Sequence, residues 1–507
     1  MAAFLNACRF NPAAGGTTDW TYSSPVSGYQ NPVAAGAVNG RIYKYRAESA
    51  DLSQWELGEG AYNSGTGVFA RTTVLYNSSG TGTGAGQSGA GSRISFSAAP
   101  QVAIVALRED LVSIEEANAF TATQQAMGRS NLIAAPFEAM KDNNLIINMA
   151  CEVCQTFPIT ASFPLATSGV ELLSADCWSI MYSGTSTAIQ TGVGDFASIG
   201  PGPLGFRNYL MLTATGALTS PANGDYALLR HKIEGYRIDH LNFGTATAQA
   251  LAFGVWVYGA ATTGTAFIKF SNGAKTRNYY FEFSIPVANT WTFVTGVIPG
   301  DTSVSTTNWL LTNGLGMTIE FFCAGKEASP VAPSVWTATN AVQTTNSTAN
   351  LINGSGKGLY LTGLWVSPGT QAPGQTGFSG LRRSRGEELT LCQRYYEKSF
   401  DSGVTPVQAA GSPTNGALAW AQPVGASTAA IVGSVRYAVR KRAVPTLTFY
   451  NPVLANGQAR NTAAGVDYSA TAAFGSGDGG FSLSATSGAA TSVGQTSSVN
   501  WVADARL

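Results

Sequence analysis

Ala252-Phe253-Gly254-Val255-Trp256-Val257-Tyr258 carries no charge and little besides β-branched and aromatic side chains. Runs of this kind read as strands. Three more share its character and end at Gly, Asn or Pro: Ala266-Phe267-Ile268-Lys269-Phe270, Tyr279-Tyr280-Phe281-Glu282-Phe283 and Thr318-Ile319-Glu320-Phe321-Phe322. No helical period intervenes between about 142 and 375, which favours a two-sheet antiparallel sandwich over an α/β fold.

Outward from this centre the pattern stays β. Arg41-Ile42-Tyr43-Lys44-Tyr45-Arg46 and Arg93-Ile94-Ser95-Phe96 alternate charged or polar residues with bulk, the period-two mark of half-buried strands. Between them the Gly/Ser-rich stretch 77–92 has the composition of a linker and is expected to be a loop held against its neighbours. The connector 108–141 differs: Ser113-Ile114-Glu115-Glu116 fits a capping box. Behind it Ile114, Ala117, Phe120, Gln124 and Met127 fall on one side at helical spacing. So narrow a stripe suits packing against copies of itself or against the adjoining domain. After a Gly/Pro-rich boundary at 367–380 comes a mixed-sign cluster, Arg382, Arg383, Arg385, Glu387 and Glu388, which reads as a solvated face or an interchain pairing. Strands are expected again at 436–440 and 445–450.

Composition narrows the function. The 507 residues carry 29 Lys+Arg and 29 Asp+Glu, so only 11% are charged against about 25% in ordinary soluble proteins. A net charge of +0 gives no field for nucleic acid. No stretch has the roughly 18 apolar residues of a membrane span, and the first residues lack a basic patch followed by an apolar run, so no secretion signal is expected. Six scattered cysteines read as reduced and buried. Ile147 to Cys154 reads as a strand, on which Cys151 and Cys154 would point to opposite faces rather than share a metal. With two histidines, His231 and His240, no metal site or His-dependent triad is expected, and no cofactor.

Particular residues then resemble a known family. Phe120-Thr121-Ala122-Thr123-Gln124-Gln125-Ala126-Met127-Gly128-Arg129-Ser130-Asn131-Leu132 is similar to connector helices of tailed-bacteriophage fibre proteins. Leu391-Cys392-Gln393-Arg394-Tyr395-Tyr396-Glu397-Lys398-Ser399-Phe400, with Arg442 to Thr446 and Trp501 to Ala505, looks like the C-terminal portion of such fibres. Asp19-Trp20, Tyr43 to Glu48, Gln54-Trp55-Glu56 and Ala70-Arg71-Thr72 resemble their virion-anchoring module. Ile233-Glu234-Gly235, Phe253 to Val257 and Ile298-Pro299-Gly300-Asp301 are similar to their jelly-roll, carbohydrate-module-like domains. The resemblance implies a mainly β virion protein with an anchoring β domain (1–107), the helical connector (108–141), a jelly-roll sandwich (142–375) and a C-terminal β domain (376–507). It further implies a homotrimeric tail fibre or receptor-binding spike. Such a protein is made in the host cytoplasm and displayed on the particle, docks on other tail or head proteins through its N-terminal domain, and attaches to host-surface polysaccharide.

Sugar recognition needs aromatic faces for pyranose C–H surfaces and polar groups for hydroxyls. Trp256 and Tyr258 share a strand face, Arg277, Tyr280 and Glu282 offer a mixed one, and Trp178, Trp291 and Trp336 are candidates for partial exposure. The alternatives are a purely structural anchoring or decoration protein and a polysaccharide depolymerase. A depolymerase would need paired carboxylates such as Glu234 with Asp239, or Glu282 with Glu320. No spacing singles out either pair, and the expectation is a non-enzyme.

Overall fold

In Trp55–Asn63 half-exposed and buried residues alternate without a break, as a strand with one wet face requires. In the computed structural model this strand closes a barrel. The ring runs Ile42–Glu48, Gln101–Ile104, Arg9–Pro12, Trp20–Pro25, Val68–Phe69, Trp55–Asn63 and back to Ile42–Glu48, every pair antiparallel. Closure removes the exposed edges that would otherwise pair with other chains. The structure describes residues 4–107, 110, 128, 141–159, 161–164, 168–184, 189–216, 221–304, 308–372, 374–375, 378–410, 416–423, 428–487 and 492–507. Chain contacts divide it into two compact units, Met1–Thr121 and Ala122–Leu507. The predicted helical stripe (Ile114, Ala117, Phe120, Gln124, Met127) lies outside the described residues.

Inside the barrel Arg71 is fully buried and all five of its donors are used. Nε and Nη2 clamp Glu56 at 2.8 and 2.5 Å, and the remaining bonds reach the carbonyls of Gly16, Thr18 and Ile94. Glu56 also accepts from Tyr45 Oη at 2.8 Å and from the Ile94 amide at 2.7 Å. The guanidinium lies 4.2 Å from the Trp20 ring. Residues 93–96, expected as a strand, instead form an extended segment that delivers Ile94 to this network and bridges Phe96 to Gly16. The Gly/Ser loop is pinned by buried Asn77, whose Nδ2 donates to Thr81 Oγ1 and Ser92 O at 2.8 and 2.7 Å.

The second unit is built on two antiparallel sheets packed face to face, as the opening run implies. One is ordered Trp336–Thr337, Asn278–Ile285, Gly264–Asn272, Leu315–Gly325, Tyr226–Glu234, Trp178–Ser183 and Leu172–Leu173. The other is ordered Trp291–Ile298, Leu251–Ala260, Gly358–Pro368, Asn208–Ala214, Ile189–Asp195 and Ser162–Pro164. Ile180, Ile268 and Phe321 from the first share one core with Leu212, Phe253 and Val366 from the second. Residues 147–154, read as a strand, are irregular: Asn148 and Cys151 adopt left-handed φ of 57° and 54°. Cys151 and Cys154 are both buried as free thiols, and burial pushes both thiols up.

The C-terminal strands gather around Thr496–Asp504, which pairs with Tyr396–Lys398, Leu418–Ala421, Thr446–Tyr450 and Arg460–Asn461. A capping box at Ser384 and Glu387 starts the helix Arg385–Gln393. The charge cluster around it is a solvated face only in part: Arg385 and Glu387 are exposed, whereas Arg383 and Glu388 are buried. Arg383 is 7% exposed and donates to the carbonyls of Ile146 and Asn144, and Glu388 accepts the Asn148 amide at 2.7 Å, so the cluster ties the helix to the sandwich. The Cys-Gln-Arg-Tyr-Tyr-Glu run completes the seam. Buried Glu234 accepts Arg394 Nε and Nη2 at 2.8 and 2.6 Å and Tyr395 Oη at 2.8 Å. Glu234→Gln is expected to cost about 2 kcal/mol, the scale of hydrogen bonds to a charged group. Hydrogen exchange should speed up across 391–400, and unchanged exchange there would contradict the assignment.

Candidate functional site

A strand with inner and outer faces positions the site. Phe253, Val255 and Val257 point between the sheets, leaving Gly254, Trp256 and Tyr258 on the other face of the six-stranded sheet, where Trp256 and Tyr258 are 9% and 7% exposed beneath neighbouring rings. Register then places Trp256 opposite Phe293, and Tyr258 between Trp291 on one side and Tyr360 on the other. The tyrosines stack across three strands: Tyr258 on Tyr360 at 5.4 Å and 8°, Tyr360 on Tyr209 at 5.1 Å and 17°. Trp291 closes the row, its centroid 5.2 Å from that of Tyr258.

A bulge beside Trp256 shapes the floor. Gly363 sits at φ 69°, and a Cβ there would come within 2.8 Å of the Phe206 ring; one on Gly254 would meet Phe293 at 3.0 Å and Phe378 at 3.1 Å. Only glycine combines that backbone with room for the rings. The result is a groove of about 730 Å³, within the usual range for small-ligand sites. Trp256, Tyr258 and Trp291 line it together with Phe206 and Phe378, and the Pro-Gly-Pro stretch 201–203 lines it as well.

Its polar groups are neutral. Asn289, Thr290, Gln375 and Ser379 line it, and none of its described lining residues is charged. Asn289, at φ 58°, accepts the Ala261 amide at 2.8 Å and the Tyr258 hydroxyl at 3.5 Å through Oδ1, and among the described residues its Nδ2 has no protein partner. Burial raises the Tyr258 and Tyr209 hydroxyls above the ordinary tyrosine value, so both keep their protons. Arg382 lies 5.8 Å from the Phe206 ring but is paired to Glu152 at 2.6 Å.

Of the eight sugar-contact candidates, the fold brings together three: Trp256, Tyr258 and Trp291. The other five are committed elsewhere. Trp178 is fully buried rather than partly exposed, donating Nε1 to Asn148 O at 3.0 Å and packing edge-on against His231, which burial pushes down to about 3. Arg277 clamps Asp301 at 2.9 and 2.6 Å. Tyr280 is covered by the crossing segment 339–341, whose Thr339 carbonyl takes its hydroxyl at 2.8 Å. Glu282 accepts the Asn346 amide and Nδ2. Trp336 packs on Trp309 and Tyr279 and donates Nε1 to Pro299 O at 2.8 Å. Phe206, Asn289, Gln375 and the stacked Tyr209 and Tyr360 were not singled out in the sequence, because their proximity arises from strand register and from two loops.

The carboxylates nominated for hydrolysis stand apart from the groove. Glu234 is held by Arg394 and Tyr395, and Glu320 by three cations. Among the described residues no group of three or more His, Cys, Asp or Glu side chains is placed to hold a metal ion.

No family model matches the chain, and no curated protein matches it. Solved structures similar to parts of it include the enzymatically active domain of tailspike protein 4 of bacteriophage CBA120. That match has 13% identity and a TM-score of 0.23, and covers 45% of this chain but only 22% of the other. A xylan-binding domain from Paenibacillus barcinonensis is 11% identical over 43% of this chain and 99% of its own, with a TM-score of 0.20. A carbohydrate-binding module solved with β-1,4-galactotriose is 9% identical over 38% and 88%, with a TM-score of 0.20.

Proposed function

We propose that this chain is a receptor-binding subunit of a bacteriophage tail fibre or spike, and that its sandwich groove holds a surface glycan without cleaving it. The carrying observation is the row of Trp256, Tyr258 and Trp291 bordered by uncharged amides and hydroxyls. Aromatic faces gain by covering a pyranose C–H surface, and neutral amides pair with hydroxyls without the desolvation penalty of an ion. The absence of a carboxylate among the described lining residues supports holding over hydrolysis, which needs an acid and a base or nucleophile. A single groove of this kind binds weakly. Assembly as a homotrimer with several copies per particle supplies the avidity.

The test is binding of the full chain to purified host lipopolysaccharide or capsule. Trp291→Ala is expected to weaken binding about tenfold, the worth of one stacked aromatic, with the melting transition retained. Equal binding by wild type and variant would remove the groove from the mechanism. Release of reducing ends from the bound polymer would favour a depolymerase.

A further inference from the structure

The lining of the groove combines two chemistries. Trp256, Tyr258 and Trp291 supply aromatic surface, while Ile199, which packs on the same tyrosine cluster, Pro201 and Leu204 supply aliphatic surface, with Leu204 92% exposed. We propose, resting on the glycan-binding reading above, that the groove selects a neutral sugar carrying a methyl or acetyl substituent: a 6-deoxy sugar or an N-acetylated one.

The argument begins with desolvation. A pyranose whose C–H face covers the aromatic surface turns its ring substituents outward, some of them toward the aliphatic surface. A hydroxyl pressed against Ile199 and Leu204 loses its water and finds no acceptor. A methyl group in the same place buries apolar surface instead. Charge excludes another class, since a uronate carboxylate would enter a groove whose described lining residues include no cation to pair with it. The polar side adds direction. Because the Ala261 amide fixes Asn289 Oδ1 as an acceptor, Nδ2 is presented as a donor, and the carbonyl oxygen of an acetamido group is a matching acceptor.

Matched probes test this with the full chain. Chitotetraose and cellotetraose differ by the acetamido group, polymer-linked L-rhamnose and L-mannose by the 6-hydroxyl, and polymer-linked glucuronate supplies the charged case. The substituted member of at least one pair is expected to bind about tenfold more tightly, the usual worth of a small apolar group in a pocket, and which pair responds tells acetyl from methyl. Leu204→Ser, at an exposed position where folding is not at stake, should reduce the preference, whereas Trp291→Ala should weaken both members alike. Equal binding within both pairs, or strongest binding to glucuronate, overturns the selectivity while leaving glycan binding in place. Absence of binding to every probe overturns the glycan reading itself.

Discussion

Replacing Arg71 with Met is expected to destabilise the N-terminal barrel by about 3–5 kcal/mol, the cost of leaving a buried charge without its partner. Glu56 is 0% exposed, and its two oxygens take four hydrogen bonds, two of them from Arg71. Met fills comparable volume but gives the carboxylate nothing. It also strands the carbonyls of Gly16, Thr18 and Ile94. Removing both charges together should be gentler. Arg71→Met with Glu56→Gln keeps an amide oxygen for Tyr45 Oη or the Ile94 amide, so the double variant is expected to be more stable than Arg71→Met alone by about 1–3 kcal/mol. Hydrogen exchange in peptides from 9–104 reads the effect locally. Equal protection in wild type and Arg71→Met would show that the pair is not what holds the barrel.

The Arg71 network also shows what the sequence could and could not reveal. Asp19-Trp20, Tyr45, Glu56 and Arg71, four separate pieces of the anchoring-module resemblance, converge on one buried polar centre; Asp19 Oδ1 accepts the Arg71 amide at 2.9 Å. The sandwich motifs behave the same way. Glu234 serves the seam with Arg394 and Tyr395, and Asp301 accepts Arg277, Trp309 Nε1 and Ser303. Burial would raise the Asp301 carboxyl, but those bonds more than offset it and hold it low. Residues that look like a motif are therefore mostly ties between distant segments.

Strands were legible because alternation is a local property: Ala252 to Tyr258 lies within the observed Leu251–Ala260, and Thr318 to Phe322 within Leu315–Gly325. The groove was only half legible. The spacing of two between Trp256 and Tyr258 puts them on one face, but which face is wet depends on the partner sheet. Trp291 and Tyr360 reach Tyr258 only through cross-strand register, which no single run encodes. Trp178 and Tyr280 failed as surface candidates for the same reason: one faces the core and the other lies under the crossing segment 339–341. The mixed-sign cluster at 382–388 was half legible: Arg385 and Glu387 are exposed, but charge in a sequence does not say whether its partners are water or, as for Arg383, carbonyls of residues 144–146.

Glu320→Gln should cost the sandwich about 3–5 kcal/mol at neutral pH, with part of the loss recovered in alkali. Glu320 is 1% exposed on the outer face of the seven-stranded sheet and neutralises three cations: Arg230 at 2.7 Å, Lys269 at 3.0 Å and Lys275 at 2.5 Å. Burial alone would raise its carboxyl, yet Lys269, Lys275 and Arg230 hold it well below the glutamate range. The stability it supplies is therefore complete above the ordinary glutamate pKa and drains away as pH falls below it. The lysines carry the opposite signature on the alkaline side. Burial lowers both; Glu320 only partly offsets this for Lys275, which titrates at about 8. Between about 8 and the ordinary lysine value near 10.4 the unfolded chain binds the extra proton, so the contribution of Lys275 to stability rises with pH in that window, while buried thiols such as Cys151 and Cys154, held up by burial, contribute in the opposite direction. Without the Glu320 charge the lysines shed protons earlier, and the rise should begin at lower pH. Lys275→Met should remove its share of the slope. Urea midpoints from pH 3 to 10 for wild type and the two variants give the curves. An alkaline slope that is the same in wild type and Lys275→Met, or a Glu320→Gln loss below 1 kcal/mol, would mean that the three cations are solvated rather than held by one buried carboxylate.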